Sequence, residues 1–232
     1  MKIALLGYGK MGKTIEKIAL ERGHEIVLKI DNANTPYNIA LADVAIEFST
    51  PESAFSNIRK CIENQVPVIA GTTGWLTDYD KAVALCNQHK SAFLYASNFS
   101  IGVNIFFTLN KKLAQLMTQL NDYNVSIEEI HHTQKLDAPS GTAITLAEGI
   151  IANSGKTAWK LGEATTTEIP IEAKRIENVP GTHTVTYQSE VDTIEIKHTA
   201  HNRNGFALGA VLAAEWIIGK KGVFSMRDVL NL

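Results

Sequence analysis

Five short apolar runs alternate with helix-like segments over roughly the first hundred residues. This alternation restricts the fold more than any other feature of the chain. The runs are nearly continuous in apolar residues, which is typical of parallel strands covered by helices on both faces. The predicted strands span 3–6, 26–30, 44–48, 66–70 and 92–96, and the predicted helices span 11–22, 52–64, 77–90 and 103–120. The connection at 32–42 is too short for a helix. Right-handed crossovers between such strands predict a doubly wound parallel α/β sheet.

The sequence changes in character after residue 121, where alternating positions replace the continuous apolar runs. Val125, Ile127, Glu129 and His131 fall on one face of a strand predicted at 123–132, because side chains alternate along a strand. The pattern then predicts a helix at 142–153, a polar loop at 155–167, a strand at 171–177, a hairpin of strands at 182–188 and 193–199, and a buried helix at 206–218. We therefore expect a first domain made of 1–102 and 206–232, with an α+β domain at 103–205 inserted into it.

The motif GYGKMG directly follows the first strand and opens the first helix. Gly7 permits a tight turn, Gly9 lets the backbone approach a pyrophosphate, and Gly12 allows close helix–strand packing. Asp31 follows the second strand, where an acidic side chain binds the adenosine ribose. Together these features indicate a Rossmann-type dinucleotide site, and the alternative is a purely structural glycine turn. The residues of the loop predicted to bind the cofactor are Gly7, Tyr8, Gly9, Lys10, Met11 and Gly12.

The type of dinucleotide is indicated by the charge next to this loop. Asp31 would repel a 2′-phosphate, no arginine is adjacent to it, and Lys29 is predicted to point to the other face. We therefore expect NADH to be favoured or at least accepted, with NADPH left open. Two polar loops follow the fourth and fifth strands, at the sheet edge where such folds bind ligands. They predict contacts with the nicotinamide end from Gly71, Thr72, Thr73, Ser97, Asn98, Phe99 and Ser100, unless they are ordinary loops.

The stretch EIHHTQKLDAPSGTA, residues 129–143, holds the densest group of reactive side chains. His131 and His132 point to opposite faces of an extended strand, so that only one of them serves as the acid. A histidine with an ordinary pKa of about 6.5 delivers a proton at neutral pH, and Lys135 pairs with a carboxylate or donates a proton. The turn PSGT begins the next helix, whose free N–H groups bind anions. The cluster indicates a small dianion that is reduced and protonated, and the alternative is a helix cap with solvated histidines.

The whole chain resembles the 4-hydroxy-tetrahydrodipicolinate reductase (dihydrodipicolinate reductase) family of the diaminopimelate route to lysine. That family carries a glutamate, a histidine pair, a lysine and DAPSGTA in the order found at 129–143. GYGKMG matches its cofactor loop, GTTGW and SNFSIGVN match its nicotinamide-side loops, and SMRDVL matches its closing segment. The resemblance implies reduction of the small dicarboxylate hydroxy-tetrahydrodipicolinate, with loss of water, by NADH and/or NADPH in a homotetramer.

The resemblance also implies roles for individual residues. It makes His131 the proton donor or acceptor and Lys135 the second proton donor, and the choice between the two histidines follows from the resemblance alone. It implies that the substrate carboxylates are bound by His132, Ser140, Gly141 and Thr142. Two alternatives remain, namely another Rossmann oxidoreductase of amino-acid metabolism and a non-catalytic nicotinamide sensor. A sensor would keep the glycine loop without needing the acid and anion cluster.

Composition limits the partners of the chain. Its 232 residues carry a net charge of −2, which gives no bulk attraction to nucleic acid or acidic membranes. The apolar run at 206–214 is shorter than the ~20 residues of a membrane span. Cys61 and Cys86 stand singly, which favours a reducing, cytoplasmic location. A zinc site is not predicted, because no acidic or cysteine spacing joins His198 and His201 to the histidine pair.

Overall fold

The computed structural model describes residues 1–31, 36–202 and 204–232. The chain divides into two compact units. Unit 1 consists of Met1–Ile101 and Asn204–Leu232, and unit 2 consists of Gly102–Arg203. Unit 2 is therefore inserted in sequence between the two segments of unit 1.

Unit 1 is a parallel sheet with helices. Its strands are β1 (Lys2–Leu6), β2 (Glu25–Ile30), β3 (Val44–Glu47), β4 (Val68–Ala70), β5 (Ala92–Tyr95) and β11 (Gly222–Phe224). They are ordered β11-β5-β4-β3-β1-β2, and the neighbouring strands pair in parallel. Its helices are α1 (Lys10–Glu21), α2 (Pro51–Glu63), α3 (Tyr79–His89), α6 (Asn204–Ile217) and α7 (Met226–Leu230). The predicted doubly wound α/β sheet is confirmed.

Alternation along β1 contributes to both hydrophobic cores of unit 1. Ile3 and Leu5 point to one face, where they pack with residues of α1 and α6, including Ile15 of α1. Ala4 and Leu6 point to the other face, where they pack with residues of α2 and α3. Because both faces are covered, the strands are apolar throughout, which is why they appear in the sequence as continuous runs.

Two elements of unit 1 form where the sequence predicts none. The strand β11 has three residues and pairs with β5, and the short helix α7 follows it. A strand of this length depends on pairing with a distant segment, which no local pattern indicates. In the connection at 32–42, residues 32–35 lie outside the described residues, and a 3₁₀ turn forms at Ile39–Leu41.

Unit 2 is a mixed sheet packed against helices. Its strands are β6 (Asn124–His131), β7 (Ala158–Leu161), β8 (Glu168–Arg175), β9 (Gly181–Gln188) and β10 (Thr193–Ala200), ordered β10-β9-β6-β8-β7. Its helices are α4 (Ile101–Met117) and α5 (Gly141–Ile151). The predicted hairpin is present as the antiparallel pair β9–β10. The central strand β6 is antiparallel to β9 and parallel to β8.

The burial pattern of β6 agrees with the predicted alternation, because Val125, Ile127, Glu129 and His131 are all buried. The prediction of a loop at 155–167 is wrong where β7 forms. This edge strand pairs in parallel with β8. The residues of β7 alone do not indicate that β8 will be their hydrogen-bonding partner. For the same reason β8 begins at Glu168, three residues before the predicted start.

Within residues 1–31, 36–202 and 204–232, no helix combines the length and the apolar character that crossing a bilayer requires.

Candidate functional site

The glycine loop of unit 1 has a geometry that depends on its glycines. Gly7 adopts a positive φ of +98°, and a Cβ on it would lie 2.0 Å from the Phe48 carbonyl oxygen. A Cβ on Gly12 would lie 2.3 Å from the Gly7 carbonyl oxygen. Gly9, in contrast, is exposed and has open space around its Cβ position. The loop is therefore held tightly against β3 while one glycine faces free space.

A cavity of about 940 Å³ opens at this loop. Gly7, Gly9 and Asp31 line it together with the residues that follow β3. The helix α1 begins next to it at Lys10, and the free N–H groups of a helix start favour phosphate. Gly9 leaves room for a close backbone approach, and Asp31 is exposed at the end of β2. These features fit a dinucleotide.

Tyr8 lies among charged neighbours instead of facing the cavity freely. Its hydroxyl donates a hydrogen bond to Glu16, which also pairs with Lys29. The Lys29 ammonium lies 5.2 Å from the centre of the Tyr8 ring. The sequence predicted that Lys29 points away from this region. In the structure Lys29 instead packs against Tyr8 of the glycine loop and forms an ion pair with Glu16.

Buried Glu47, at the end of β3, connects two loops of unit 1. Its Oε1 accepts hydrogen bonds of 3.0 Å each from the Ser49 backbone N–H and the Thr72 hydroxyl. The Ser49 N–H also donates to Thr72 Oγ1 at 2.8 Å. The predicted contact residue Thr72 is therefore buried, and its hydroxyl holds the loop together. Burial raises the pKa of Glu47 despite these hydrogen bonds. Sequence reasoning assigned no role to Glu47.

The other predicted nicotinamide-side residues have unequal exposure. A Cβ on Gly71 would lie 2.2 Å from the Phe48 ring, so any side chain at this position would require the ring to move. Phe99 is buried in the core of unit 1 with its ring 5.6 Å from that of Phe48. The exposed positions are Thr73 and Ser97. Asn98 accepts a hydrogen bond from the Ser100 N–H at 2.8 Å. Phe99 is only 2% exposed as a whole residue, so it belongs to the core and leaves Thr73 and Ser97 as the exposed positions of these loops.

The centre of the unit 2 site is Glu129, which is fully buried on β6. Its Oε1 accepts a hydrogen bond from Arg175 Nη2 at 3.2 Å, and its Oε2 accepts one from the Ser140 backbone N–H at 3.0 Å. His183 Nε2 lies 3.7 Å from the same Oε2. Burial acts to raise the pKa of Glu129, but the interactions with His183, Ser140 and Arg175 outweigh it and lower the pKa to about 2. Glu129 is therefore a carboxylate at neutral pH.

Sheet register explains this cluster. Glu129 lies directly opposite His183 in the antiparallel pair β6–β9, so both side chains point to the same face. His131 follows two residues after Glu129 on that face, and Arg175 is its partner in the parallel pair β6–β8. Three strands therefore supply a carboxylate, two imidazoles and a guanidinium to one place.

His131 occupies the last position of β6 and is 8% exposed. Its Nδ1 lies 3.4 Å from Glu129 Oε2, and its ring lies 5.0 Å from that of His183. Burial and then the charge of His183 lower the pKa of His131 to about 4. The sequence expectation used an ordinary histidine pKa, whereas His131 is neutral at pH 7 in this state.

His132 and Lys135 lie beyond the end of the strand. His132 lines a cavity of about 540 Å³ with Thr133, Gln134 and the segment that precedes β9. Lys135 Nζ lies 2.8 Å from both carboxylate oxygens of Asp137. The strand ends between the two histidines, so His131 belongs to the buried cluster and His132 to the cavity wall.

Arg175 ties the loop that carries Lys135 to the buried carboxylate. Its Nε donates to the Lys135 carbonyl at 3.2 Å, and its Nη2 donates to the Asp137 carbonyl at 2.6 Å. Because Nη2 also bonds Glu129, one guanidinium fixes the loop and the acid together.

Ser140 is the N-cap of α5 and is almost fully buried. Its Oγ accepts a hydrogen bond from the Ala143 N–H at 3.2 Å and lies 3.0 Å from His183 Nε2. The side chain and N–H of Ser140 are thus engaged within the protein. Gly141 is exposed and Thr142 half-buried at the first turn of α5, where backbone N–H groups lack helical partners. An anion therefore finds its free donors at Gly141 and Thr142, while Ser140 shapes the turn.

Sequence reasoning missed His183 and Arg175. Both lie outside the 129–143 stretch, on β9 and β8, and neither stands in a motif. The available signal was the single buried-face carboxylate at Glu129, which requires partners once it is buried. The complete cluster combines the neutral imidazole of His131, the cations Lys135 and Arg175, and the start of α5. This combination suits binding and protonation of a small dianion.

Comparison with known proteins identifies a family. The N-terminal model of dihydrodipicolinate reductase matches residues 1–99, and the C-terminal model of the same enzyme matches residues 102–230. The 4-hydroxy-tetrahydrodipicolinate reductase of Christiangramia forsetii is 60% identical, covering 100% of this chain and 98% of the relative. That of Neisseria gonorrhoeae is 34% identical, covering 94% of this chain and 84% of the relative.

A solved structure shares the fold. The dipicolinate-bound dihydrodipicolinate reductase of Paenisporosarcina sp. TG-14 superposes with a TM-score of 0.77 at 24% identity, covering 97% of each chain. This match supports the α/β architecture. The resemblance stated from the sequence is confirmed by the two family models and by the full-length relative. The chain belongs to the 4-hydroxy-tetrahydrodipicolinate (dihydrodipicolinate) reductase family.

Proposed function

We propose that the chain reduces 4-hydroxy-tetrahydrodipicolinate to tetrahydrodipicolinate, with loss of water, using a nicotinamide dinucleotide. The observation that carries this proposal is the arrangement around Glu129, which places a neutral histidine beside cationic side chains and a helix start. A non-catalytic sensor needs no such arrangement. The family and its 60% identical member support the same reaction.

The substrate dianion is proposed to bind where unit 2 offers unpaired donors. Gly141 and Thr142 supply backbone N–H groups at the start of α5, and the helix dipole adds positive partial charge there. His132 contributes from the cavity wall. Ser140 acts through the turn that it stabilises, because its hydroxyl and N–H already have partners within the protein.

His131 is proposed to donate the proton only when substrate is bound. In the free protein its pKa is about 4, because burial and nearby positive charge from His183, Lys135 and Arg175 disfavour the imidazolium, with Glu129 opposing them. A bound dianion adds negative charge and therefore raises this pKa. Substrate binding would then protonate His131, which supplies the proton that the reaction consumes. Lys135, held by Asp137, is the second proposed donor.

Unit 1 is proposed to hold the dinucleotide along the glycine loop. When bound, the reduced nicotinamide supplies the hydride. Gly9 and the start of α1 receive the phosphates, and Asp31 receives the adenosine ribose. Asp31 favours NADH over NADPH through repulsion of a 2′-phosphate. The loops 71–73 and 97–100 contact the nicotinamide end in this proposal through exposed Thr73 and Ser97, while buried Thr72 and Phe99 hold the loops in place.

A coupled assay tests the reaction. Dihydrodipicolinate synthase, pyruvate and aspartate semialdehyde generate the substrate in place, and absorbance of the reduced nicotinamide reports its oxidation. We expect oxidation that depends on all three components. Failure with both NADH and NADPH would overturn the proposed activity.

The proton-transfer role is tested by His131→Gln, with His89→Gln in α3 as the matched control. His131→Gln should lower kcat far more than it weakens NADH binding measured by fluorescence, whereas His89→Gln should change neither. Equal losses of kcat and of NADH affinity in His131→Gln would contradict a role in proton transfer.

The proposal includes a cytoplasmic homotetramer. It is supported by the family resemblance, by two buried free cysteines, and by β10 as an edge strand of the unit 2 sheet. Light scattering should give a mass about four times the 25.4 kDa of one chain. A monomeric mass would refute the tetramer and leave the activity to be judged by the coupled assay.

A further inference from the structure

We propose that Glu129, His131 and His183 form a binding site for one divalent transition-metal ion of the Zn²⁺ type. The three residues each offer one ligand atom, and these atoms lie within 4.8 Å of one another. All three side chains are buried. A carboxylate with two imidazoles is a ligand set that zinc accepts, with a fourth position left for water.

The distances suit a small ion. A tetrahedral ion with bonds of about 2.0–2.1 Å separates its ligand atoms by about 3.4 Å. Glu129 Oε2 lies 3.4 Å from His131 Nδ1 and 3.7 Å from His183 Nε2. The ligand nitrogens of the two imidazoles lie within 4.8 Å of each other, so they must approach by at most about 1.4 Å to reach this separation. The spacing therefore already approximates a coordination shell.

The state of the ligand atoms also favours metal. Among the described residues, His131 Nδ1 is buried without a hydrogen-bond partner, which is costly unless a ligand satisfies it. Arg175 contacts Oε1 of Glu129, whereas Oε2 accepts the Ser140 backbone N–H and lies beside both imidazoles. This contact orients the carboxylate in the way that outer partners orient metal ligands.

Two features weaken the site and so limit its affinity. The Arg175 guanidinium repels a cation, and His183 Nε2 must exchange its 3.0 Å contact with Ser140 Oγ for the metal. We therefore expect reversible binding that a chelator removes. Nitrogen ligands favour Zn²⁺, Co²⁺ and Ni²⁺, whereas Mg²⁺ prefers oxygen ligands.

Metal binding would inhibit the enzyme, because it occupies His131. This consequence rests on the proposed role of His131 in proton transfer, whereas binding itself does not. Zinc should therefore lower the rate of the coupled assay, and EDTA should restore it. Binding without inhibition would leave the site intact and count against the proposed role of His131.

Binding is tested on the full chain with Co²⁺ and Zn²⁺. One equivalent of Co²⁺ should produce the visible absorption of a tetrahedral ion, and calorimetry should give one Zn²⁺ per chain, with no response to Mg²⁺. Glu129→Gln and His183→Gln should each weaken binding by at least about 100-fold, since even outer-shell losses cost about 10–100-fold. His89→Gln should bind as the wild type does. Equal binding by His183→Gln and the wild type would overturn the site.

A crystal soaked in Zn²⁺ provides a test that does not depend on the folding of variants. The anomalous difference map should show one peak about 2 Å from Glu129 Oε2, His131 Nδ1 and His183 Nε2. A map without this peak, or with zinc only at other histidines such as His198 and His201, would refute the proposal.

Discussion

Replacing His131 with glutamine should remove a large part of the stability that unit 2 loses as the pH falls. The pKa of His131 falls from 6.5 to about 4 on folding, chiefly because the ring is buried. The folded state therefore binds the proton less well than the unfolded state does. The contribution of neutral His131 to the unfolding free energy is present above pH 6.5 and is lost progressively as the pH falls toward about 4.

The size of the effect follows from the same two values. A fall from 6.5 to about 4, at about 1.4 kcal/mol for each pH unit, corresponds to roughly 3 kcal/mol of unfolding free energy. The buried ring is poorly screened by solvent, so this contribution needs little reduction. The acidic cluster member Glu129 loses its own contribution only at lower pH, because its pKa falls from 4.5 to about 2. The two groups therefore act in nearly separate pH ranges.

The assay combines two measurements. Histidine-labelled NMR gives the pKa of His131 directly, and urea unfolding at pH 7, 5.5 and 4.5 gives the free energy. Wild type should lose stability relative to both His131→Gln and His131→Asn as the pH falls, although the two substitutes differ in packing. An NMR pKa near 6.5, or a stability difference that stays constant with pH, would refute the reasoning.

Four further outcomes are expected. Gly7→Ala should abolish NADH binding and lower the unfolding free energy by about 1–3 kcal/mol, measured by urea unfolding. The control is Gly23→Ala, because Gly23 also has a positive φ but a Cβ there meets no other atom, and this variant should retain binding. Asp31→Ser should raise the ratio of NADPH to NADH efficiency by at least about tenfold in kcat/KM; an unchanged ratio would contradict the repulsion. Glu47→Gln should gain stability relative to wild type as the pH rises above 4.5, because the raised pKa of Glu47 makes wild type lose stability over that range; a constant difference in urea unfolding would contradict burial of the charge. Calorimetry in buffers of different ionisation enthalpy should show that protons are taken up when a dicarboxylate substrate analogue binds. Binding enthalpies that are equal in all buffers would argue against protonation of His131 on binding.

The sequence predicts what local patterns encode. The glycine loop, the alternation of β6 and the cap at the start of α5 each depend on residues within one segment, and all appear as expected. The short strands β7 and β11 depend instead on pairing with β8 and β5. Their own residues do not specify those partners, so they could not be predicted from periodicity.

The site shows the same division at the level of chemistry. His131 and Lys135 are visible in the 129–143 stretch, whereas Arg175 and His183 reach Glu129 only through the register of three strands. The pKa of His131 depends on burial and on these neighbours. A residue type therefore predicts which group can carry a proton, and the fold determines the pH at which it does so.

The two buried acids in the described part of the chain show how neighbours set that outcome. Glu47 and Glu129 are both fully buried, and each accepts hydrogen bonds from a serine N–H in a nearby turn. Burial raises the pKa of Glu47, because the hydrogen bonds from Ser49, Thr72 and Asn57 lower it by less. Burial acts on Glu129 in the same direction, but hydrogen bonds from His183, Ser140 and Arg175 together reverse the result. A fixed carboxylate in unit 2 can therefore orient imidazoles and counter a cation at neutral pH, whereas Glu47 is suited to joining two loops. The partners therefore distinguish the two acids, because the hydrogen bonds at Glu129 outweigh burial whereas those at Glu47 do not.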